Sequence, residues 1–253
     1  MKTSLNYIEG DWVKSEARES FFNINPCNGD NIGRYPKTTK EEVSKACAAA
    51  RRAFHSWRNV SRVKRAEYLY NVAKIIERRK VELARAISLE TGKNYNESIA
   101  EVNEALHMAQ YAFGSGRTPQ GEAIASEIFG KDSYMLRKPK GVVAIISPWN
   151  FPLAIGAFWC AAPALVEGNT VILKPSEDAP LSSQIATEIY HEAGIPNGVF
   201  NLIHGGADVG DRLARNDNVD HICFTGSAEV GQHIRRVCAE SWHKTCSCEM
   251  GSK

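Results

Sequence analysis

The sequence predicts an α/β fold, a doubly wound and mostly parallel sheet with a helical N-terminal region, on three observations. After residue 138, short apolar runs alternate with helix-length segments, the texture of parallel strands joined by crossover helices. Before it, apolar residues recur at helical spacing with Lys and Arg between them, as in amphipathic helices. The third observation is size and composition: 253 residues, 43% hydrophobic and 24% charged, are globular proportions and enough chain for one large or two modest domains of ~100–200 residues.

The first predicted helix covers 40–57 and the second 62–85, where Val63, Ala66, Leu69, Val72, Ala73 and Ile76 fall on one face. A third, 96–113, ends at Gly114-Ser115-Gly116, a stop and turn signal. Lys138-Pro139-Lys140 marks a seam between a helical region, 1–138, that packs on the sheet, and the sheet domain itself, 139–253. Strands are predicted at 141–146, 170–173, 199–203, 220–224 and 243–248, with helices at 151–167, 181–193, 207–215 and 228–240. Five strands joined by four helices make a doubly wound sheet, whose ligand crevice lies beyond the carboxyl ends of the strands.

Charge narrows the partners. Lys and Arg number 31 against 29 Asp and Glu, a net charge of +2, which provides no broad field for nucleic acid or an acidic membrane. The basic residues of the N-terminal helices alternate with acidic ones and lack interleaved aromatics, so they read as a solvated face. Seven cysteines, an odd number, and an opening MKTSLNYIEGDW without an apolar stretch predict a reducing, cytoplasmic setting. The uncharged run 141–166 is interrupted by Pro148, Asn150, Pro152 and Pro163 and reads as buried core rather than a membrane span. Cys238, His243, Cys246 and Cys248 supply zinc-ligand types, but Cys246-x-Cys248 is tighter than the usual ligand pair and alternates onto one strand face. Strand packing is the expectation there, with no metal, and a small molecule becomes the expected partner.

Three strand exits carry polar groups. The first runs into Ser147-Pro148-Trp149-Asn150-Phe151-Pro152, where two prolines stiffen the backbone around one amide. Asn150 is either an Asx turn or helix cap, or a donor to a developing oxyanion. The second exit, Lys174-Pro175-Ser176-Glu177, sets an ammonium and a carboxylate three residues apart, either a surface ion pair or a grip on ribose and phosphate oxygens. The fourth exit, Phe224-Thr225-Gly226-Ser227-Ala228-Glu229-Val230-Gly231, starts a helix with small residues, a place for pyrophosphate. It is not the G-x-G-x-x-G fingerprint, and Glu229 repels a phosphate unless it points away.

Taken in order and spacing, Pro148-Trp149-Asn150-Phe151-Pro152, Lys174-Pro175-Ser176-Glu177, Phe224-Thr225-Gly226-Ser227 with Gly231, and Glu249-Met250-Gly251 resemble the aldehyde dehydrogenase superfamily. The resemblance spans almost the whole chain, including Asn28 to Gly33. It implies a Rossmann-like NAD(P)-binding core at 139–253, NAD as cofactor with NADP as the alternative, an aldehyde substrate and a homo-oligomer. By it Asn150 matches the oxyanion amide and Glu249 the base that activates water. Lys174, Ser176 and Glu177 match the adenosine ribose site, and Ser147, Pro148 and Trp149 the loop beside the nicotinamide half. Gly226 and Ser227 match the pyrophosphate turn, Phe224, Thr225 and Val230 fall on the same cofactor side, and Gly206 and Gly210 align with glycines near the adenine. The family's reaction forms a thiohemiacetal on a cysteine, passes hydride to NAD(P)+ and hydrolyses the thioester.

Two departures stand out. Ser252 occupies a position where the family usually has glycine, and the sequence stops at Lys253, before the family's nucleophilic cysteine, its second glutamate and its pairing segment. Cys27, Cys160 and Cys223 lie in patterns that suit structural thiols. The expectation is therefore a cofactor-binding half that does not turn over aldehydes alone, with a noncatalytic nucleotide-binding or interaction protein and a truncated product as the alternatives.

Overall fold

A computed structural model describes residues 4–251. The chain begins with a hairpin of β1 (Asn6–Ile8) and β2 (Asp11–Val13). Its turn residues, Glu9 and Gly10, have φ of 57° and 94°, the pair of positive values that a two-residue I′ turn requires. A second hairpin joins β3 (Ser20–Ile24) to β4 (Asn31–Pro36). Four helices follow: α1 (Lys40–Trp57), α2 (Arg62–Arg78), α3 (Lys80–Thr91) and α4 (Tyr95–Ser115). Thr39 and Glu42 form a capping box at the start of α1, Ser61 and Asn94 cap α2 and α4, and Gly92 at φ 74° ends α3.

The predicted helix 62–85 is thus two helices, broken at Arg79 (φ −95°, ψ 12°). The apolar spacing continues through the break, with Leu69, Val72, Ile76, Leu83 and Ile87 all buried, so periodicity alone did not reveal it. Arg79 holds the bend through ion pairs to Glu82 and Glu188.

A third hairpin, β5 (Gly121–Ile124) with β6 (Ser133–Leu136), leads to β7 (Val142–Ile146). The predicted helix 151–167 is a π-helical turn, Ile155–Cys160, running into α5 (Ala161–Val166). Pro163 has no N–H and its ring crowds the carbonyl four residues back, which favours a widened turn ahead of it. Then come β8 (Thr170–Lys174), α6 (Leu181–Glu192), β9 (Phe200–Leu202), α7 (Ala207–Arg215), β10 (His221–Gly226), α8 (Ala228–Ala239) and β11 (Thr245–Met250). The last two strands run two residues further than predicted, because the β10–β11 ladder continues to Gly226↔Met250.

One seven-stranded sheet has the order β11-β10-β7-β8-β9-β1-β2. The first five strands are parallel; β1 joins β9 antiparallel through Tyr7↔Leu202 and pairs with β2. The N-terminal region therefore supplies two strands of the sheet as well as helices. Val143 and Ile145 pack into one core with α2 to α6, while Val142, Ala144 and Ile146 pack into the other with α1, α7 and α8. Each of the Val and Ile side chains contributes ~1.5–3 kcal/mol when fully buried. At the seam, Gly141 has φ 140° and a Cβ there would overlap the Asp220 carboxylate, which accepts from the Val142 N–H at 2.7 Å and from Arg51 at 2.6 Å. Among the described residues no helix is long and apolar enough to cross a membrane.

A buried carboxylate ties the N-terminal helices to the sheet layer. Glu90 of α3, 3% exposed, accepts hydrogen bonds from the backbone N–H groups of Leu181 and Ser182 (2.8 and 2.9 Å), from the Ser182 hydroxyl and from Asn23 at 3.0 Å. It caps α6 from another helix. Burial pushes its carboxyl up to about 7 against those four donors. Because the folded value lies above the ordinary ~4.3 of an unfolded Glu, the folded chain retains a proton that the unfolded chain releases, and Glu90 makes stability fall as pH rises from about 4.5 to 7. Denaturant unfolding of wild type and Glu90→Gln across that window checks this. The variant should lose about 1–3 kcal/mol, since an amide NH2 then faces N–H donors, and should show a flatter pH profile; an unchanged slope contradicts it.

Candidate functional site

The parallel registers bring the predicted polar groups to one edge. Ile146 of β7 pairs with Lys174 of β8 and with Phe224 of β10, and Thr225 pairs with Glu249 of β11. The next residues of each chain segment therefore leave the sheet together, where strand order reverses between β7 and β10. There lies a cavity of about 1060 Å³, just above the ~300–1,000 Å³ usual for small-molecule sites.

Ser147, Pro148, Trp149 and Asn150 line it from the β7 exit, and Lys174, Ser176 and Glu177 from the β8 exit. Phe224, Thr225, Gly226, Ser227 and Val230 line it from β10 and the start of α8, with Gly210 from α7 and Glu249 from β11. Gly206 is not in the lining; it precedes α7, and a Cβ there would lie 3.1 Å from the Glu177 carboxylate. A Cβ on Gly210 would stand 3.6 Å from Lys174 Cε and 3.8 Å from Ile146. The fold accepts that contact, so what glycine preserves at 210 is free volume in the cavity. Gly231 has a different reason: a Cβ there would collide with Met250 where α8 crosses β11.

Lys174 is almost fully buried, and its ammonium donates to the carbonyls of Pro175 (2.8 Å) and Gly205 (2.6 Å), 3.9 Å from Glu177. Burial pushes it down to about 8, with the carboxylates of Glu177 and Asp208 acting in the other direction. Below that pH it retains a third N–H. The surface ion pair weighed from sequence is thus a loose contact on a buried lysine whose firm bonds go to backbone. Ser227 caps α8, accepting from the Val230 N–H at 3.3 Å, which aims that helix start into the cavity. Glu229 is exposed and is among the residues that line the same cavity.

Asn150 is exposed, and among the described residues its side chain makes no hydrogen bond. The N–H groups it could have capped, those of Leu153 and Ala154, go to Glu101. Ser147 is buried with its hydroxyl unpartnered. Ser252 lies outside the described residues.

The sequence reading missed Asp208, Asp211, His233 and Arg236, which also line the cavity. His233 Nε2 lies 2.7 Å from Asp211 Oδ1; burial pushes the Asp211 carboxyl up, but hydrogen bonds from His233 and Arg215 hold it below the usual range. No motif marks these residues; only the faces of two helices that the topology sets side by side could have found them. Cys246 and Cys248 pack against α8 beside Cys238, the strand packing expected. Cys160 and Cys223 are half-buried, not enclosed, and the Cys223 thiol pulls the Cys160 thiol down by hydrogen bonding while its own is pushed up.

Comparison with known proteins follows the same line. The profile of the aldehyde dehydrogenase family matches residues 12–253. Betaine aldehyde dehydrogenase of Bacillus subtilis is 41% identical over 250 residues, covering 98% of this chain and 51% of that protein. Alpha-ketoglutaric semialdehyde dehydrogenase of the same organism is 39% identical, with 99% and 51% covered. The crystal structure of betaine aldehyde dehydrogenase from Staphylococcus aureus in complex with NAD+ superposes with a TM-score of 0.93 at 36% identity, over 98% of this chain and 50% of that one. The chain spans about half the length of the curated relatives it matches.

Proposed function

The chain belongs to the aldehyde dehydrogenase family, and from that premise we propose that it supplies the cofactor-binding half of an NAD(P)-dependent oxidation of an aldehyde to a carboxylic acid. The observation that carries the reading is the convergence of Asn150, Lys174 with Glu177, the Gly226-Ser227 helix start and Glu249 in one cavity from separate strand exits. The donor set fits a dinucleotide. Free N–H groups at the first turn of α8 suit a pyrophosphate, Glu177 suits a ribose 2′-hydroxyl, and the third hydrogen of Lys174 suits a ribose oxygen. When bound, the nicotinamide supplies the acceptor for a hydride.

The residues of this chain then have separate tasks. The Asn150 amide donates to the oxygen on which charge develops, and the Glu249 carboxylate takes a proton from the attacking water. Among the described residues no cysteine lines the cavity with these two groups, so the covalent step is assigned to a cysteine outside residues 1–253, and the 253 residues alone are proposed to be inactive. An aldehyde is the proposed substrate. Self-association is proposed on the exposed Phe129, Tyr134 and Leu136 of the β5–β6 segment, and a cytoplasmic setting on seven free thiols.

Three outcomes follow. Calorimetry with both nucleotides should give tighter binding of NAD+ than of NADP+, because the Glu177 carboxylate repels a 2′-phosphate; equal or tighter NADP+ binding overturns that assignment. NAD+ affinity should fall as pH rises through about 8, since the neutral amine of Lys174 has only two hydrogens, both committed to carbonyls. Lys174→Met should bind NAD+ more weakly, by about tenfold for one lost hydrogen bond to a charged donor, and without that pH dependence. Purified chain with NAD+ and a panel of small aldehydes should produce no NADH above a control without protein. NADH that survives Asn150→Ala but vanishes on thiol alkylation would place a nucleophile among the seven cysteines.

A further inference from the structure

The turn that carries Asn150 is held by groups that do not line the cavity. An asparagine in a turn opening a helix ordinarily caps the helix's free N–H groups with its own side chain. Here that role is taken from a different helix. Oε1 of Glu101, on α4, accepts from the backbone N–H groups of Leu153 at 2.9 Å and Ala154 at 3.2 Å. Its Oε2 accepts from Lys93 Nζ at 2.7 Å, and its side chain has no exposed surface. The same ammonium lies 3.8 Å from the centre of the Phe151 ring, close enough for a cation–π contact. From the other side, the Ser183 hydroxyl donates to the Pro152 carbonyl at 3.1 Å. Residues 151–154 are therefore each tied by a contact, while Asn150 and Trp149, immediately before them, are exposed to the cavity.

We propose that Glu101 and Lys93 are positioning residues for the Trp149-Asn150 turn: the carboxylate takes over the cap so that the Asn150 amide stays free, and the ammonium fixes the Phe151 ring so that the turn faces the nicotinamide end of the cavity. The proposal rests on reading the cavity as a dinucleotide site. Charge and geometry both support a built device. A carboxylate with no exposed surface is costly unless its oxygens are paired, and both oxygens of Glu101 are paired, one to the helix start and one to the cation over Phe151. Replacing either member leaves the adenosine and pyrophosphate contacts untouched, since those come from β8, α7 and α8.

The test compares NAD+ with ADP-ribose, which lacks the nicotinamide, by calorimetry on the full chain, with thermal unfolding recorded in parallel. Glu101→Ala and Lys93→Met should weaken NAD+ binding by about tenfold, the scale of one lost cap, while ADP-ribose binding stays within about twofold. Glu101→Gln, which keeps an oxygen for the two N–H groups and loses the ion pair, should recover much of the loss. Lys93 reaches the surface, so its variant remains informative if Glu101→Ala fails to fold. A purely structural role would move the melting temperature and weaken both ligands together, or neither, and that result overturns the proposal. Wild-type chain that binds neither NAD+ nor ADP-ribose overturns the dinucleotide reading and the proposal with it; a wild type that binds both, with variants that do not separate them, overturns the positioning role alone.

Discussion

β7 is buried on both faces along its whole length, and that constraint places the rest. Its five residues alternate between two cores, so no side chain of the strand is left for chemistry. The first polar group available is Ser147, at its carboxyl end. Its neighbours are held in parallel register, Ile146 level with Lys174 and with Phe224, so their first polar side chains emerge at the same height. A site assembled this way needs no contiguous motif. It needs two apolar faces, a fixed register and a reversal of strand order, and the short loops at that reversal do the rest.

The second organising feature is a set of buried or half-buried carboxylates that serve backbone N–H groups of other segments. Glu42 accepts from Ser15 and the Glu16 N–H while completing the cap of α1. Glu90 caps α6, Glu101 caps the helix after Asn150, and Asp220 takes the first N–H of β7. Each pairs a charge that would be costly in the interior with donors that would otherwise be orphaned at an element's end. Together they lock the N-terminal segments onto the sheet layer. Two of them, Glu90 and Glu101, act on the segments that flank the cavity.

How much of this was legible in the sequence depends on the range of the interaction. The five parallel strands, α1, α6, α7 and α8 were readable within about two residues, because each carries its own periodicity and turn residues. The Trp149-Asn150 turn, the Lys174-Glu177 pair and the Gly226-Ser227 helix start were readable as strand exits. The β1–β2 hairpin was not, since three-residue strands show no alternation and a glutamate, here Glu9, is not a usual first residue of such a turn. The break at Arg79 was hidden by an apolar repeat that runs through it. The capping acids were invisible in principle: an isolated glutamate at 90 or 101 looks like any surface glutamate until tertiary structure brings a helix start against it. For the same reason Asp211 and His233, on two helices, gave no sign that they share a wall of the cavity.

On the proposed function this cavity, and no other surface of the chain, receives a dinucleotide with its pyrophosphate at the start of α8 and its nicotinamide end toward Asn150. Crystals of the chain grown with NAD+ test it most directly. Density is expected in the cavity, with ribose oxygens against Lys174 and Glu177, phosphate oxygens at Ser227 and the nicotinamide beside Trp149 and Asn150. A dinucleotide bound in the reverse sense, or at another site while this cavity stays empty at saturating NAD+, would contradict it.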